Sequence, residues 1–222
     1  MTTTDVTTAS LSKRLREETS QAHADAEQSQ FLAALLSGQL SVDAWYGLLC
    51  QYQYIYAALE SAIAGLLESR LTFELFAVEL DRSEHIAHDL ALISKRYPVT
   101  AMAPQPSTLK YVARIQSCRN SPLRLLAHHY TRYLGDLSGG QVMRTLLQRH
   151  YGLLPDELTF FKFDIGSLPL FKRRYRNELD ALAITAAEAD SIIVEAAASF
   201  AHNQHMFEEL CEIYAPQLRL SA

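Results

Sequence analysis

The chain has 222 residues, a formal net charge of -5, 49% hydrophobic residues and 20% charged residues. This length and balance predict one soluble globular domain and exclude a disordered or fibrous protein. The acidic net charge, with no long basic run, argues against nucleic acid as a partner. The three cysteines form no Cys-x-x-Cys pair, which argues against a disulfide framework or a thiolate metal site and favours a reducing cytoplasm. Neither end of the sequence reads as a secretion signal or a membrane anchor.

Apolar residues recur at three- and four-residue spacings along most of the chain, which predicts an all-α fold. The clearest helix pattern begins at Ser41 and places Trp45, Tyr56 and Leu66 on one face. We predict further helices over 10–36, 73–96, 107–118, 121–151, 168–182 and 185–214, the last opening with a capping box. No linker or repeat divides the chain. We therefore expect a flexible N-terminus over 1–9, one domain over 10–215 and a short C-terminal tail over 216–222.

Three glycines, Gly135, Gly139 and Gly140, lie within six residues of the predicted helix over 121–151. A glycine in a helix interior costs about 1 kcal/mol relative to alanine, so three together need an explanation. One interpretation is a turn between two helices. The other is a kinked helix whose surface, bare of side chains, lets a flat ligand lie against the backbone. A phosphate-binding loop is disfavoured, because no matching glycine motif or preceding strand is present.

The run HHYTRYLGDLSGGQ, from His128 to Gln141, resembles the distal-helix signature of the haem oxygenase family. The run TSQAHADAE, from Thr19 to Glu27, resembles the proximal-helix signature of that family. Further similarity lies at Ile55–Glu60, at Phe171–Arg176, and at Phe200, Asn203 and Phe207. The resemblance covers nearly the whole chain, and it implies a single-domain, multi-helical fold with haem b sandwiched between the proximal and distal helices.

The resemblance implies that His23 is the proximal iron ligand and that Glu27, one turn later, orients its ring. An isolated helical histidine is more often a surface or core-edge residue, so this role rests on the surrounding motif. Cations suit the two haem propionates, and the resemblance assigns this contact to Arg16, Lys172 and Arg176, with Tyr130 adding a hydroxyl. Arg16 replaces the lysine that is common in the family. The other haem-binding positions implied are Thr19, Gly140, Phe200 and Phe207.

Asp136 is the residue that the resemblance assigns to oxygen chemistry. In the family the equivalent aspartate orders distal water, while the glycine backbone, here Gly135 and Gly139, crowds the reactive oxygen toward one meso carbon. Tyr56, Arg132 and Asn203 are expected to extend this hydrogen-bond network. The alternative for Asp136 is a turn or cap residue beside glycine.

The activity implied is oxidative cleavage of haem to biliverdin, ferrous iron and carbon monoxide, with O2 and electrons from a separate donor. The chain has no flavin motif or iron–sulfur cysteine set, so we expect a ferredoxin or a flavoprotein reductase as partner. We expect a monomer. The main alternative is a haem-binding storage or carrier protein, which would share His23 and the basic rim but would not need Asp136. A helical relative acting on another small molecule, such as a thiamine-degrading enzyme, is the third possibility.

The remaining histidines raise the question of a non-haem metal site. They include two pairs spaced three apart: His85 with His88, and His202 with His205. A ferritin-like di-iron site requires Glu-x-x-His, and no glutamate in the chain has histidine three residues later. We interpret these histidines as surface or pocket-edge residues.

Overall fold

The computed structural model of the protein describes residues 9–68, 75–76 and 78–219. The regular structure in these ranges is helical, which confirms the predicted all-α fold class. The α-helices are α1 (Leu11–Glu18), α2 (Ser20–Glu27), α3 (Gln30–Leu36), α4 (Val42–Glu68), α5 (Ser83–Arg96), α6 (Pro106–Ser117), α7 (Pro122–His129), α8 (Gly135–Tyr151), α9 (Leu168–Asp180), α10 (Ala186–Tyr214) and α11 (Pro216–Arg219). Short 3-10 turns lie at Val78–Leu80, Pro155–Glu157 and Thr159–Phe161.

Two long helices, α4 and α10, organise a single hydrophobic core. α10 packs against α2, α3, α6 and α7, and α4 packs against α5, α6 and α7. Trp45 and Tyr56 of α4 are fully buried, as the helical periodicity predicts. Over the residues described, none of the helices combines the length and the apolar character needed to cross a bilayer.

The predicted start of α10 is confirmed. The Thr185 hydroxyl accepts a hydrogen bond from the Glu188 amide at 3.3 Å, and the Glu188 carboxylate accepts one from the Thr185 amide at 2.8 Å. Each side chain thereby satisfies a backbone donor that the first helical turn leaves unpaired.

The prediction of one helix over 10–36 is wrong, because this segment forms three helices. The first break is at Thr19, whose φ and ψ are -102° and 5° and whose hydroxyl donates to the Leu15 carbonyl at 2.6 Å. The second break is at Ser29, whose hydroxyl accepts from the Leu32 amide and caps α3. Both are local bonds from side chain to backbone, which compete with a continuous helix.

The helix predicted over 73–96 begins later, at Ser83. The Glu60 carboxylate of α4 accepts the amide hydrogens of Arg82 at 2.6 Å and Ser83 at 3.1 Å, so it caps α5. Residues 73, 74 and 77 lie outside the described residues. So do residues 1–8 of the predicted flexible N-terminus and 220–222 of the predicted tail, while 216–219 form α11.

The segment predicted as a helix over 121–151 is helical from Pro122 to Tyr151, but it contains a π-helical turn at Tyr130–Leu134 between α7 and α8. The interpretation of the glycines as a turn between two helices is therefore wrong, and the departure from regular α-helix directly precedes them. Gly135 and Gly140 lie in regular α-helix, directly after the π-helical turn. Such turns accommodate an extra residue in a helix and are frequent at functional sites. α8 ends as predicted, at Gly152 with φ of +65°.

Candidate functional site

A cleft of about 360 Å³ separates α1 and α2 from the start of α8. Its lining residues are Ser12, Arg16, Thr19, Ser20, His23, Tyr130, Thr131, Leu134, Gly135, Ser138, Arg176 and Phe200. The π-helical turn and the first turn of α8 form one wall, and α1 and α2 form the opposite wall. The structure thus brings the proximal and distal motifs, more than 100 residues apart in the chain, to the two sides of one cleft.

His23 projects from α2, with about half of its side chain exposed. Its ring meets the ring of Phe200 edge-on, with centroids 5.3 Å apart and an interplanar angle of 90°. Nδ1 lies 3.7 Å from Oε2 of Glu27, slightly beyond direct hydrogen-bond distance and within reach of a bridging water. The imidazole is therefore held on one side and open to the cleft, as an axial metal ligand needs to be.

The wall opposite His23 carries little side-chain bulk. A Cβ atom added to Gly135 or to Gly139 would meet no other atom within 4 Å. A Cβ on Gly140 would instead lie 2.9 Å from Cδ1 of Phe161, so the structure places Gly140 against the core rather than in the cleft. The bare surface at Gly135 allows a planar group to approach the backbone, and it fits a porphyrin.

Basic side chains mark the outer edge of the cleft. Arg16 of α1 and Arg176 of α9 line it, together with Tyr130. Lys172 lies one turn before Arg176 on α9, and partial burial, together with the nearby Arg176 charge, lowers the pKa of its ammonium group. Two or three cations at one edge suit a ligand that carries two carboxylates there.

A buried polar network adjoins the glycine wall. The Tyr56 hydroxyl donates to Oδ2 of Asp136. The Arg132 guanidinium lies over the rings of Tyr52 and Tyr56, at 4.3 and 4.7 Å from their centroids. Its Nη1 donates to Oδ1 of Asn203 at 2.5 Å, while its buried Nε and Nη2 have no partner among the described protein atoms. The structure thus groups the predicted distal residues around one carboxylate.

Burial raises the pKa of Asp136 to about 6. The charge of Arg132 and the hydrogen bond from Tyr56 act in the opposite direction, since both stabilise the ionised carboxylate. Asp136 can therefore exchange a proton close to neutral pH.

Like Gly140, Phe207 lies away from the cleft, and Glu27, Gly139 and Lys172 are also not among its lining residues. The ring of Phe207 stacks on Phe31 of α3, with centroids 6.3 Å apart, inside the core. Thr19 lines the cleft but is itself almost fully buried.

Sequence reasoning assigned no site role to several residues of the cleft wall, although all but Ser12 lie within the two quoted motif runs. They are Ser12, Ser20, Thr131, Leu134 and Ser138. Helical periodicity carried a signal for two of them: Ser12 lies four residues before Arg16, and Ser138 lies three after Gly135, which places each pair on one helix face. Tyr52, beneath the Arg132 guanidinium, was also missed and carries no comparable signal.

The four histidines considered for a non-haem metal lie at the surface or are only partly buried. The ring of His202 stacks on Tyr111 with centroids 5.0 Å apart, at the edge of a second cleft that His205 also lines. This placement agrees with surface and pocket-edge positions.

One group of possible metal-ligating side chains does meet within the described residues: Cys118, His128 and Glu195, all buried. Glu195, however, already accepts hydrogen bonds from Arg114 at 2.8 Å and from Arg124 at 2.9 Å. Two guanidinium groups disfavour a further cation. We interpret the group as a buried ion-pair network that joins α6, α7 and α10.

Comparison with known proteins places these features in a family. The family model described as heme oxygenase matches residues 9–209. A heme oxygenase of Guillardia theta is 36% identical over 203 residues, which cover 90% of this chain and 86% of the relative. The crystal structure of heme oxygenase-1 from Synechocystis sp. PCC6803 in complex with heme aligns with a TM-score of 0.82 and 31% identity, covering 91% of this chain and 92% of the other. The heme oxygenase of Leptospira interrogans aligns with a TM-score of 0.81 and 31% identity, covering 90% and 100%. The chain therefore belongs to the heme oxygenase family.

Proposed function

We propose that this protein is an enzyme that binds haem as its substrate in the cleft and cleaves it to biliverdin, ferrous iron and carbon monoxide. The observation that carries the proposal is the pairing of the half-exposed His23 imidazole with the bare wall at Gly135 in one cleft. Bound haem supplies the iron at which O2 is activated. The residues of the chain bind, orient and shield that centre.

His23 is the proposed iron ligand, and Glu27 keeps its imidazole oriented through Nδ1. Arg16 and Arg176, which line the cleft, bind the propionates, and Tyr130 contributes its hydroxyl there. Lys172, one turn before Arg176 on α9, is proposed to assist them. Phe200 packs against the His23 ring, which limits its rotation. Together these contacts hold the porphyrin plane against Gly135 and Gly139.

Asp136 is the proposed proton-handling group of the distal side. Its carboxylate accepts from Tyr56, and Arg132, anchored by Asn203, stabilises the negative charge. A carboxyl group with a pKa of about 6 can order water and pass protons to the distal face at neutral pH.

A haem storage or carrier protein would share His23 and the basic edge. It would not need a titratable carboxylate held by Tyr56 and Arg132 directly behind the glycine wall. Burying these polar groups costs free energy of folding. A catalytic role would explain why the protein retains them. This observation favours the enzyme over the carrier.

We further propose that the protein works in the cytoplasm as a monomer and receives its electrons from a separate ferredoxin or flavoprotein reductase. In support of a reducing compartment, Cys50, Cys118 and Cys211 are all free thiols and all buried. Sedimentation of the purified protein tests the monomer, and reconstitution with each donor class tests the electron source.

The deciding experiment is an absorption spectrum of the protein with one equivalent of hemin, followed by ascorbate or a ferredoxin reductase system in air. We expect a Soret band typical of histidine ligation that decays into biliverdin absorption. A stable Soret band under demonstrated reduction would favour the carrier. Failure to form a Soret complex would refute haem binding altogether.

A further inference from the structure

The first turn of α1 is capped from a distant part of the chain. Ser10, at the N-cap position, does not cap a backbone amide of the helix, although its hydroxyl lies 3.5 Å from the hydroxyl of Ser12. The carboxylate of Asp180 instead accepts from the Ser12 amide at 2.7 Å and from the Ser12 hydroxyl at 2.8 Å. Within the described part of the chain, the hydrogen bonds between α1 and α9 all end on this carboxylate. We call this contact the Ser12–Asp180 clip.

Asp180 is the last residue of α9. A carboxylate at the C-terminal end of a helix opposes the helix dipole, whereas at the N-terminal end of a helix it is favourable. The local energetics of α9 therefore do not explain an aspartate at this position. The capping of α1 does, because the same charge lies at the N-terminal turn of that helix.

The clip is in register with the basic edge of the cleft. Ser12 lies four residues before Arg16 on α1, and Asp180 lies four residues after Arg176 on α9. Residues four apart share one helix face, so the clip is about one turn from each arginine. Ser12, Arg16 and Arg176 all line the cleft. The clip holds α1 and α9 together. It therefore fixes the distance between the backbone positions from which the Arg16 and Arg176 side chains extend.

We infer that Asp180 is a positioning residue that sets the spacing of Arg16 and Arg176 and, through it, the in-plane orientation of haem. This inference rests on the proposed function, since the two arginines act on haem through its propionates. A bond from His23 to the haem iron would by itself leave haem free to turn in the cleft, so contacts at the edge would decide which meso carbon faces α8. The clip is therefore a determinant of the product isomer rather than of iron ligation.

The test compares Asp180→Ala with Asp180→Asn and with a matched control, Asp190→Ala. Asp190 is another exposed carboxylate that holds α1, through Arg14 at 2.7 Å, but it does so from α10. Three properties are measured: hemin affinity from Soret titration, the haem methyl proton shifts of the ferric cyanide complex, and the biliverdin isomer ratio.

For Asp180→Ala we expect hemin binding about 2- to 10-fold weaker, as for the loss of one pre-organised contact. A second set of methyl signals and a larger share of minor biliverdin isomers should accompany it, with an unchanged histidine-type Soret position. Asparagine can accept from the Ser12 amide and donate to its hydroxyl, so Asp180→Asn should behave like the parent. Asp190→Ala should also match the parent. Parental methyl shifts and isomers in Asp180→Ala would overturn the inference, as would an equal change in Asp190→Ala.

A measurement without haem separates this inference from the proposed function. Spin labels on cysteines introduced at the exposed Lys13 and Arg173 report the distance between α1 and α9, because the native cysteines are buried. We expect Asp180→Ala to broaden this distance distribution and Asp180→Asn to leave it unchanged. An unchanged distribution in Asp180→Ala refutes the clip as a spacer. If the parent protein binds no hemin, the proposed function fails, while the label distances still decide the role of Asp180.

Discussion

Asp136 lies where burial and two polar neighbours act on one carboxyl group, so its removal separates haem binding from turnover. It makes no contribution to the His23 side of the cleft or to the basic edge. We predict that Asp136→Ala binds hemin with parental affinity but forms biliverdin roughly 100-fold more slowly, the usual scale for loss of a proton-transfer group. Single-turnover absorption measurements check this. Asp164→Ala, at an exposed carboxylate, is the control and should turn over normally. Parental turnover in Asp136→Ala would remove this residue from the mechanism.

The pKa of Asp136 also predicts an acid limit to activity. Burial raises this pKa to about 6, so the carboxyl group is neutral below that pH and ionised above it. If the ionised form orders the distal network, the turnover rate should fall about tenfold per pH unit below pH 6. Asp136→Asn cannot titrate, and its slower rate should stay flat between pH 5 and 7. If the turnover rate of Asp136→Asn still falls below pH 6, the titrating group is not Asp136.

The helix α8 does not need glycine at position 135 in order to form. The glycine instead leaves room for a ligand to approach the helix backbone. Gly135 has helical φ and ψ of -61° and -53°, and an added Cβ would meet no atom within 4 Å. Gly135→Ala should therefore stabilise the apo protein by about 0.5–1 kcal/mol and raise its melting temperature by about 1 to 4 °C. The same methyl group occupies the bare wall of the cleft. Hemin binding should weaken roughly tenfold, as expected when overpacking costs about 1–3 kcal/mol.

Gly65→Ala in α4 is the matched control for that prediction. Gly65 is also exposed, helical and free of neighbours within 4 Å of an added Cβ, but it lines a different cleft. Calorimetry should show a similar gain in stability, and Soret titration should show parental affinity. Equal losses of hemin affinity in Gly65→Ala and Gly135→Ala would place the haem elsewhere.

The helices differ in how far the sequence could predict them. α10 begins as expected because its cap, Thr185 with Glu188, is local in sequence. α5 begins later than expected because its cap is Glu60, more than 20 residues away. The break at Thr19 comes from a bond to its own helix, which competes with a strong apolar periodicity. Local patterns thus predict which helices exist, while contacts distant in sequence decide where several of them begin and end.

In the candidate site, too, local sequence motifs could be predicted, while contacts between residues distant in sequence depend on the packing of the whole molecule. The proximal and distal motifs are each continuous in sequence, so their residues could be predicted from the sequence by resemblance. The bond from Tyr56 to Asp136 joins residues 80 apart and was predicted by the same resemblance, whereas the clip from Ser12 to Asp180 joins residues 168 apart and was not predicted. Spacing carries no information about such pairs, since they depend on how α4, α8, α9 and α1 pack.

The buried network at Glu195 joins α6, α7 and α10, so it acts on the stability of the whole domain. Burial alone would raise the pKa of Glu195, but hydrogen bonds from His128, Arg114 and Arg124 outweigh it and hold this pKa well below its ordinary value. A carboxylate with a depressed pKa stabilises the fold at pH values above its unfolded pKa, and this contribution is lost as the pH falls toward the folded pKa. The contribution of Glu195 is therefore complete at pH 7 and begins to decline near pH 4.5.

Glu195→Gln leaves the two guanidinium groups without their carboxylate. We predict a loss of about 1.5–3 kcal/mol in the free energy of unfolding at pH 7, the scale for losing hydrogen bonds between charged groups, because the two guanidinium groups left behind are partly exposed. The surface pair of Glu178 with Arg174 provides the comparison, and Glu178→Gln should cost at most about 1 kcal/mol. Urea denaturation at pH 7, 5.5 and 4 measures both. The difference between the parent and Glu195→Gln should be constant from pH 7 to 5.5 and smaller at pH 4, because the parent then begins to protonate on unfolding. A difference that does not shrink at pH 4 would mean that the lost stability comes from packing rather than from the charge of Glu195.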